Sequence, residues 1–370
     1  MTKSSMEPSI GTICFPSYNR GGILLKTIKK LLPNLNDDWP VLVVDNASNK
    51  DRAAYREIKK LAGKSSNLFY HRHKKNGLFE GNLLSLFELV QSQFFLVVSD
   101  EDFPSIQGLS ELTPFLKDNR DIGGIRASLG TLLGVKASQA CKFDDQLFEK
   151  VDGINSFGLS GNYISGQIYN APVLNKLNIP QRLKKNIHAN QFYPHLYLNI
   201  LAAANTRTLF SSKVVCYEGT ADAYRPEEVK DYFGPFSYGT RVDQFIALRN
   251  AIYEGYMDIK NSNTNSQFDM TGFYNSYLSL CSKYQFLIFM AQGKMYRDQM
   301  INLDFLSSSF SLLCIGSVEK LPYYEKVKDK LADAIYYSGN HWLDKRQNYD
   351  KQNVGLVSDA LSNGSRLKSA

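Results

Sequence analysis

Apolar positions in the first hundred residues follow two alternating rhythms. Short runs rich in β-branched and aromatic residues, Ile10–Phe15, Pro40–Val44, Asn67–Tyr70 and Phe94–Ser99, have strand character. Between them Leu24, Leu25, Ile28, Leu31 and Leu32, then the stretch Asp51–Leu61, then Leu83, Leu84, Phe87 and Val90 repeat at helical spacing. Pro16 is expected to stop the first strand, and Pro104 closes the stretch after the fourth. Strands that alternate with helices predict a doubly wound, mostly parallel α/β sheet. Right-handed crossovers bring the carboxyl ends of such strands to one edge, where ligands bind.

Polar residues gather at each of those ends: Tyr18 to Arg20, Asp45-Asn46, His71 to Asn76, and Asp100-Glu101-Asp102. Three carboxylates at the end of a buried strand repel one another unless a cation or a metal-bound phosphate neutralises them. Hard divalent ions suit such oxygens, and Mg²⁺ typically takes one or two carboxylates plus substrate phosphates. Alone, the triplet also fits a solvated acidic turn; its place directly after a buried run favours a site. Asp45 has a local alternative, an Asx-turn with Ser48, and Arg20 has that of a solvated surface charge. His71 and His73, with no third ligand in register, fit exposed strand-end residues better than metal ligands.

The segments Pro16-Ser-Tyr-Asn-Arg20, Val44-Asp-Asn-Ala-Ser48 and Ser99-Asp-Glu-Asp102 resemble, in order and spacing, the nucleotide-binding half of family 2 glycosyltransferases with the GT-A fold. The resemblance covers about residues 9 to 130. It implies a Rossmann-like GT-A sheet and a nucleotide-diphosphate sugar donor. By position, Pro16, Tyr18 and Arg20 would line the nucleotide pocket and Asp45 would bind the base or ribose. Asp100 would lie near the ribose or donor sugar, and Asp102 would hold Mn²⁺ or Mg²⁺ against the diphosphate. Asn76 and Glu101 join the expected donor-binding set. One departure is Glu80-Gly81-Asn82, where many relatives carry an arginine before the asparagine. Neutralisation of the diphosphate then falls to the metal and to Lys74 or Lys75.

Farther on, Gly123–Ala127 and Val214–Tyr217 are expected strands, and the glycine-rich Phe157–Tyr169 leads through Ile168–Leu174 into a helix. In the family a small-residue stretch here borders the donor sugar and acceptor. Ser165, Gly166 and the later Gln191 are therefore expected acceptor contacts, against the structural alternative of a bulged hairpin. Relatives carry an acidic pair with the general base in the next region, but no carboxylate lies between Asp152 and Glu218. His188 and His195 are the titratable groups in that window, and His195, following Pro194 at a helix start, is the expected base. Asp222 and Asp243 are fallbacks. Phe236–Phe245, with Arg241 and Asp243, resembles a segment of abequosyltransferase-like enzymes of surface-polysaccharide assembly.

A polar break over 260–267 suggests a GT-A domain over 1–259, with a nucleotide-binding half 9–130 and an acceptor half 131–259. A helical region over 268–351 and a loose tail over 352–370 are expected to follow. The net charge of +7 favours anionic partners, and no basic block is dense enough for a nucleic-acid arm. Five cysteines without CxxC spacing indicate neither a disulfide framework nor zinc, which suits a reducing cytoplasm. The start of the sequence carries no apolar signal region, and no apolar run reaches the ~20 residues of a membrane span. Lys320, Lys326, Lys328 and Lys330 suggest a peripheral face toward the inner membrane surface for a lipid-linked acceptor, although acidic residues interleave with them. The expectation is a cytoplasmic, metal-dependent, inverting glycosyltransferase acting on a saccharide or lipid-linked saccharide. A non-catalytic sugar-nucleotide-binding subunit is the rival from another class. A sugar-phosphate nucleotidyltransferase is weaker, since Ser17–Gly22 lacks the doubly basic loop that such enzymes need.

Overall fold

The computed structural model describes residues 9–131, 142–150, 152–160, 163–185, 193–219, 238–262, 267–292, 303–321 and 324–366. Four parallel strands form the first half of the sheet: β1 (Gly11–Ser17), β2 (Val41–Asp45), β3 (Leu68–Arg72) and β4 (Phe94–Val97). The crossovers carry α1 (Gly21–Leu31), α2 (Arg52–Ala62) and α3 (Leu78–Leu89). Then come β5 (Phe103–Pro104), α4 (Ile106–Asp118), β6 (Gly124–Thr131), β7 (Gln146–Phe148), β8 (Gln167–Asn170) and β9 (Thr208–Glu218). The order across the sheet is β3-β2-β1-β4-β8-β6-β9-β5, with β7 also on β9; β8 runs antiparallel to β4 and β6. The doubly wound, mostly parallel arrangement expected from the sequence is what forms.

One face of this sheet is packed by α1, α2 and α4. Leu24, Ile28, Tyr55, Ile58, Leu109, Leu112 and Leu116 close over Ile13, Phe15, Val41, Val43, Phe94 and Leu96. Each fully buried side chain of this kind contributes roughly 1.5–3 kcal/mol before entropy is counted. On the opposite face Phe87 of α3 meets Phe95 and Tyr169 at ring separations of 4.9 and 5.9 Å.

Pro16 does not end β1. The strand runs on to Ser17, with Pro16 paired to Val44 and Ser17 to Asp45. The amides of Gly11 and Ile13 point toward the β2 side, bonding Asp38 and Pro40 carbonyls, so alternate residues such as Pro16 face β4. The β4 pairing has finished at Cys14–Val97, so the missing N–H costs nothing there.

The chain divides into two compact units, Met1–Tyr224 with Ala247–Asp269, and Arg225–Ile246 with Met270–Ala370. The first also holds α5 (Ala171–Lys176), α6 (Ile179–Lys185), α7 (Pro194–Asn205) and part of α8 (Tyr238–Ser262). Arg182 there bonds Glu254 at 2.7 Å and Asp258 at 2.6 Å. The second unit is helical: α9 (Met270–Phe286), a π-helical turn Leu287–Gln292, α10 (Leu303–Gly316) and α11 (Tyr324–Arg366). Phe245 packs there against Tyr277, Tyr284 and Phe310. The tail expected to be loose continues α11 as far as Arg366. Once a helix is nucleated, each added residue brings its own hydrogen bond, so a polar sequence can extend it. No helix among the described residues is long and apolar enough to cross a membrane.

Candidate active site

Sheet register builds the site. Ser17, Asp45 and Arg72 lie side by side at the carboxyl ends of β1, β2 and β3. Asp45 is 0% exposed. Its Oδ1 accepts the Ser48 amide at 2.7 Å, the Asx-turn foreseen as its local alternative. Its Oδ2 accepts the Tyr70 hydroxyl at 2.7 Å and pairs with Arg72. A carboxylate offers about four lone-pair sites, so three partners leave one for a ligand. Burial, with the Asp45 charge beside it, pushes the Tyr70 phenol well up from its ordinary value.

Side-chain amides tie the neighbouring loops together. Asn19 accepts the Asn49 and Lys50 amides at 2.9 Å each, and its own N–H donates to Ser48 Oγ at 2.9 Å. Asn46 donates to Asn76 Oδ1 at 2.8 Å and accepts the Gly77 amide at 2.9 Å. Asn76, expected at the donor, thus clasps the start of α3 to the end of β2. Tyr18 is 39% exposed at the same edge. Lys74 and Lys75 are exposed after β3. His71 and His73 meet edge to face at 5.0 Å, and His73 Nε2 lies 3.1 Å from Ser85 Oγ.

At the end of β4 the three acids diverge. Glu101 pairs with Arg20 at 2.9 Å. Asp102 is 0% exposed and saturated: Tyr163 donates to both oxygens at 2.9 and 2.7 Å, Ser165 Oγ to Oδ2 at 2.5 Å, and the Gly219 amide to Oδ1 at 2.9 Å. Burial raises its pKa, and the Ser165, Gly219 and Tyr163 hydrogen bonds oppose that rise. Glycine is required at 219, because a Cβ there would lie 1.9 Å from the Glu101 carbonyl oxygen. Gly166, at φ +82°, turns the chain from Ser165 into β8.

Asp100 differs from both neighbours. It is 7% exposed, and its Oδ1 has no hydrogen-bond partner among the described residues. Burial first, then the charges of Glu101 and Asp102, push its pKa up to about 7, with Ser17 and Arg20 pulling the other way. Among the described residues, no group of three or more His, Cys, Asp and Glu side chains converges to hold a metal. The donor set still suits a hard divalent ion that takes one or two carboxylates and completes its shell with phosphate oxygens. Asp100 Oδ1 is the open oxygen, and ligation by Asp102 would exchange one of its hydrogen bonds.

The expected acceptor-side residues are more scattered. Ser165 and Gly166 adjoin Asp102, whereas Gln191, His188 and Asp222 lie outside the described residues. His195 is 1% exposed in the first turn of α7, with Tyr193 edge-on at 5.8 Å. Asp243 is exposed on the part of α8 that belongs to the second unit. Sequence reasoning missed Tyr70, Arg72 and Tyr163, which hold the two aspartates. The signal for the first two was present: residues 70 and 72 share one face of a strand. Tyr163 reaches Asp102 from 61 positions away, and no local pattern announces it.

The family model for glycosyl transferase family 2 matches residues 12–156, the stretch that builds this edge. The first part of the chain is thus similar to glycosyl transferase family 2. Solved structures agree on the fold. Staphylococcus aureus TarS 1–349 in complex with UDP is 13% identical, with 90% of this chain and 91% of that one covered and a TM-score of 0.54. The same protein in complex with UDP-GlcNAc gives 13% identity, 90% and 92% coverage and a TM-score of 0.54. At such identity the likeness extends to the GT-A fold and no further. No curated protein matches the chain by sequence.

Proposed function

We propose that the chain transfers a sugar from a nucleotide-diphosphate sugar to a hydroxyl of a saccharide or lipid-linked saccharide of a surface polysaccharide, with inversion and with Mn²⁺ or Mg²⁺. The observation that carries the reading is the buried Asp100 Oδ1, without a hydrogen-bond partner among the described residues, at the strand edge of the stretch that matches glycosyl transferase family 2, near Arg20 and Ser17. The relative TarS, captured with UDP-GlcNAc, supports a nucleotide-sugar donor.

In this reading Tyr18 and Pro16 flank the nucleotide, Asp45 offers its remaining lone pair to the base or ribose, and Asp100 meets the ribose or donor sugar. Arg20 exchanges Glu101 for a phosphate oxygen, where negative charge grows as the glycosidic bond breaks. A divalent ion held by Asp102 would neutralise the departing nucleotide diphosphate. The acceptor oxygen attacks the anomeric carbon from the face opposite that leaving group, beside Ser165 and Gly166. His195 takes the hydroxyl proton, so the products are the glycosylated acceptor and the nucleoside diphosphate.

The burial of His195 and the missing acidic pair favour a second reading, a sugar-nucleotide-binding subunit without turnover. A thermal-shift panel of UDP-, GDP- and dTDP-sugars with and without Mn²⁺, followed by transfer and hydrolysis assays, separates the two. At ~100 times Kd, a donor stabilises by about 2.7 kcal/mol. For the enzyme, one donor raises Tm in a Mn²⁺-dependent way, Asp102→Asn abolishes that dependence, and His195→Gln lowers kcat at least ~100-fold with donor binding intact. Donor affinity with neither transfer nor slow hydrolysis would establish the binding subunit instead.

A further inference from the structure

The outward faces of α1 and α2 carry an uneven charge. On α1, Lys26, Lys29 and Lys30 are exposed while Leu24, Ile28 and Leu31 face the core. On α2, Arg52, Arg56, Lys59 and Lys60 are exposed at spacings of four, three and one, one side of a helix, opposite Tyr55 and Ile58. Both helices close over the same face of the sheet, so their seven basic residues share one surface. Glu57 is the single acid on the two helices, 3.6 Å from Lys60. The other six form no ion pair among the described residues.

Several basic residues on other surfaces are paired, although Lys74, Lys75, Lys184 and Lys185 are exposed and also form no ion pair among the described residues. Lys213 pairs with Glu111 on α4 at 3.2 Å, Arg207 with Asp121, and Lys328 with Glu325 on α11 at 2.8 Å. The lysines of 320–330 thus sit among acids, whereas those of α1 and α2 do not. Unbalanced like charges repel one another, which a monomeric surface gains nothing from keeping on one face.

We propose that the α1–α2 face docks the protein on an anionic lipid bilayer. Two features select a bilayer over nucleic acid. Five of the seven residues are lysines, which act as mobile point charges toward a diffuse negative surface rather than as forks for single phosphates. Neither helix exposes an aromatic ring on which bases could stack, Tyr55 being buried. The face carries no apolar wedge, so the attachment is electrostatic, reversible and erased by salt, because screening shortens to about 3 Å at 1 M. Each lysine or arginine near an anionic surface is worth about a five-fold gain in partitioning. The starts of α1 and α2 adjoin the strand-end site, while Lys29, Lys30, Lys59 and Lys60 lie in the last turns, away from it; the proposal stands on the charge pattern whether or not the acceptor is lipid-linked.

The test is co-sedimentation of the full chain with phosphatidylcholine vesicles, with and without about 30 mol% phosphatidylglycerol, at low salt. Binding is expected only with the anionic lipid. Lys26→Gln/Lys29→Gln/Lys59→Gln/Lys60→Gln should lose at least ~100-fold in partitioning, with Tm unchanged because the sites are exposed. A second variant, Lys320→Gln/Lys326→Gln/Lys328→Gln/Lys330→Gln, removes the same charge elsewhere and should bind nearly as the natural chain does. Equal losses in the two variants would reduce the effect to net charge and overturn the proposal. So would failure to bind anionic vesicles, or tighter binding to single-stranded RNA than to the vesicles.

Discussion

The ends of β2 and β4 each bury aspartate, and they treat it in opposite ways. At β2, Asp45 is met by a backbone amide, a phenol and a guanidinium, all from the nearest segments of the same half-sheet. At β4, Asp102 is met as fully, but by donors from distant segments, while Asp100 Oδ1 has no hydrogen-bond partner among the described residues. Burying a carboxylate costs several kcal/mol unless hydrogen bonds and opposite charge offset it. An unmet buried oxygen is thus a cost that the fold carries at one strand end and avoids at the other. The contrast separates the carboxylate that holds the edge together from the one left open to a ligand.

The largest effect should come from the satisfied end. Asp45→Ala strands the Ser48 amide and the Tyr70 hydroxyl and leaves Arg72 without its partner. The expected loss is about 3 kcal/mol of folding stability, read as a lower urea midpoint with an unchanged m-value. A loss below ~1 kcal/mol would mean that Asp45 is held for a ligand rather than for the fold, and the contrast would fail.

Asp100→Asn should act in the opposite direction on stability. The ordinary value for this carboxyl is 3.8 and the folded value is about 7, so between them the native state holds a proton that the unfolded state has lost. Stability from this group is fully present below about pH 4 and is lost as the pH rises toward 7. The asparagine variant escapes that loss. Its Tm should match the natural protein near pH 4, exceed it increasingly up to pH 8, and be accompanied by weaker donor binding. A parallel pH profile for the two proteins would show that Asp100 is solvated or partnered after all.

Much of the sheet behind this contrast was legible in the sequence, and the boundary is physical. Strand and helix periods are local, so the four parallel strands, their crossovers and the polar strand ends followed from the pattern of Ile10–Phe15 through Phe94–Ser99. Strand ends were less secure, because pairing decides them: β1 passes through Pro16 and β3 reaches Arg72 only because β2 continues beside both. Which aspartate would be satisfied was not readable. Tyr163, Ser165 and Gly219 come to Asp102 through a sheet order that places β8 beside β4 and β9 near its end, and no spacing in the chain encodes that.

The smallest expected effect is also the one that discriminates most finely between the two aspartates that follow β4. Tyr163→Phe keeps the ring and removes the hydroxyl that bridges both Asp102 oxygens. Ser165 and the Gly219 amide remain, so the carboxylate stays partly met and the cost should be about 1 kcal/mol. Because that hydroxyl opposes the burial-driven rise in the Asp102 pKa, its loss should raise the pKa further. It also opens a lone pair on Asp102, so Mn²⁺ affinity measured with a bound nucleoside diphosphate should hold or tighten at pH 8. A ten-fold weakening would mean that Tyr163 orients Asp102 for the ion rather than competing with it. The sealed carboxylate and the open one would then be parts of a single ligand set.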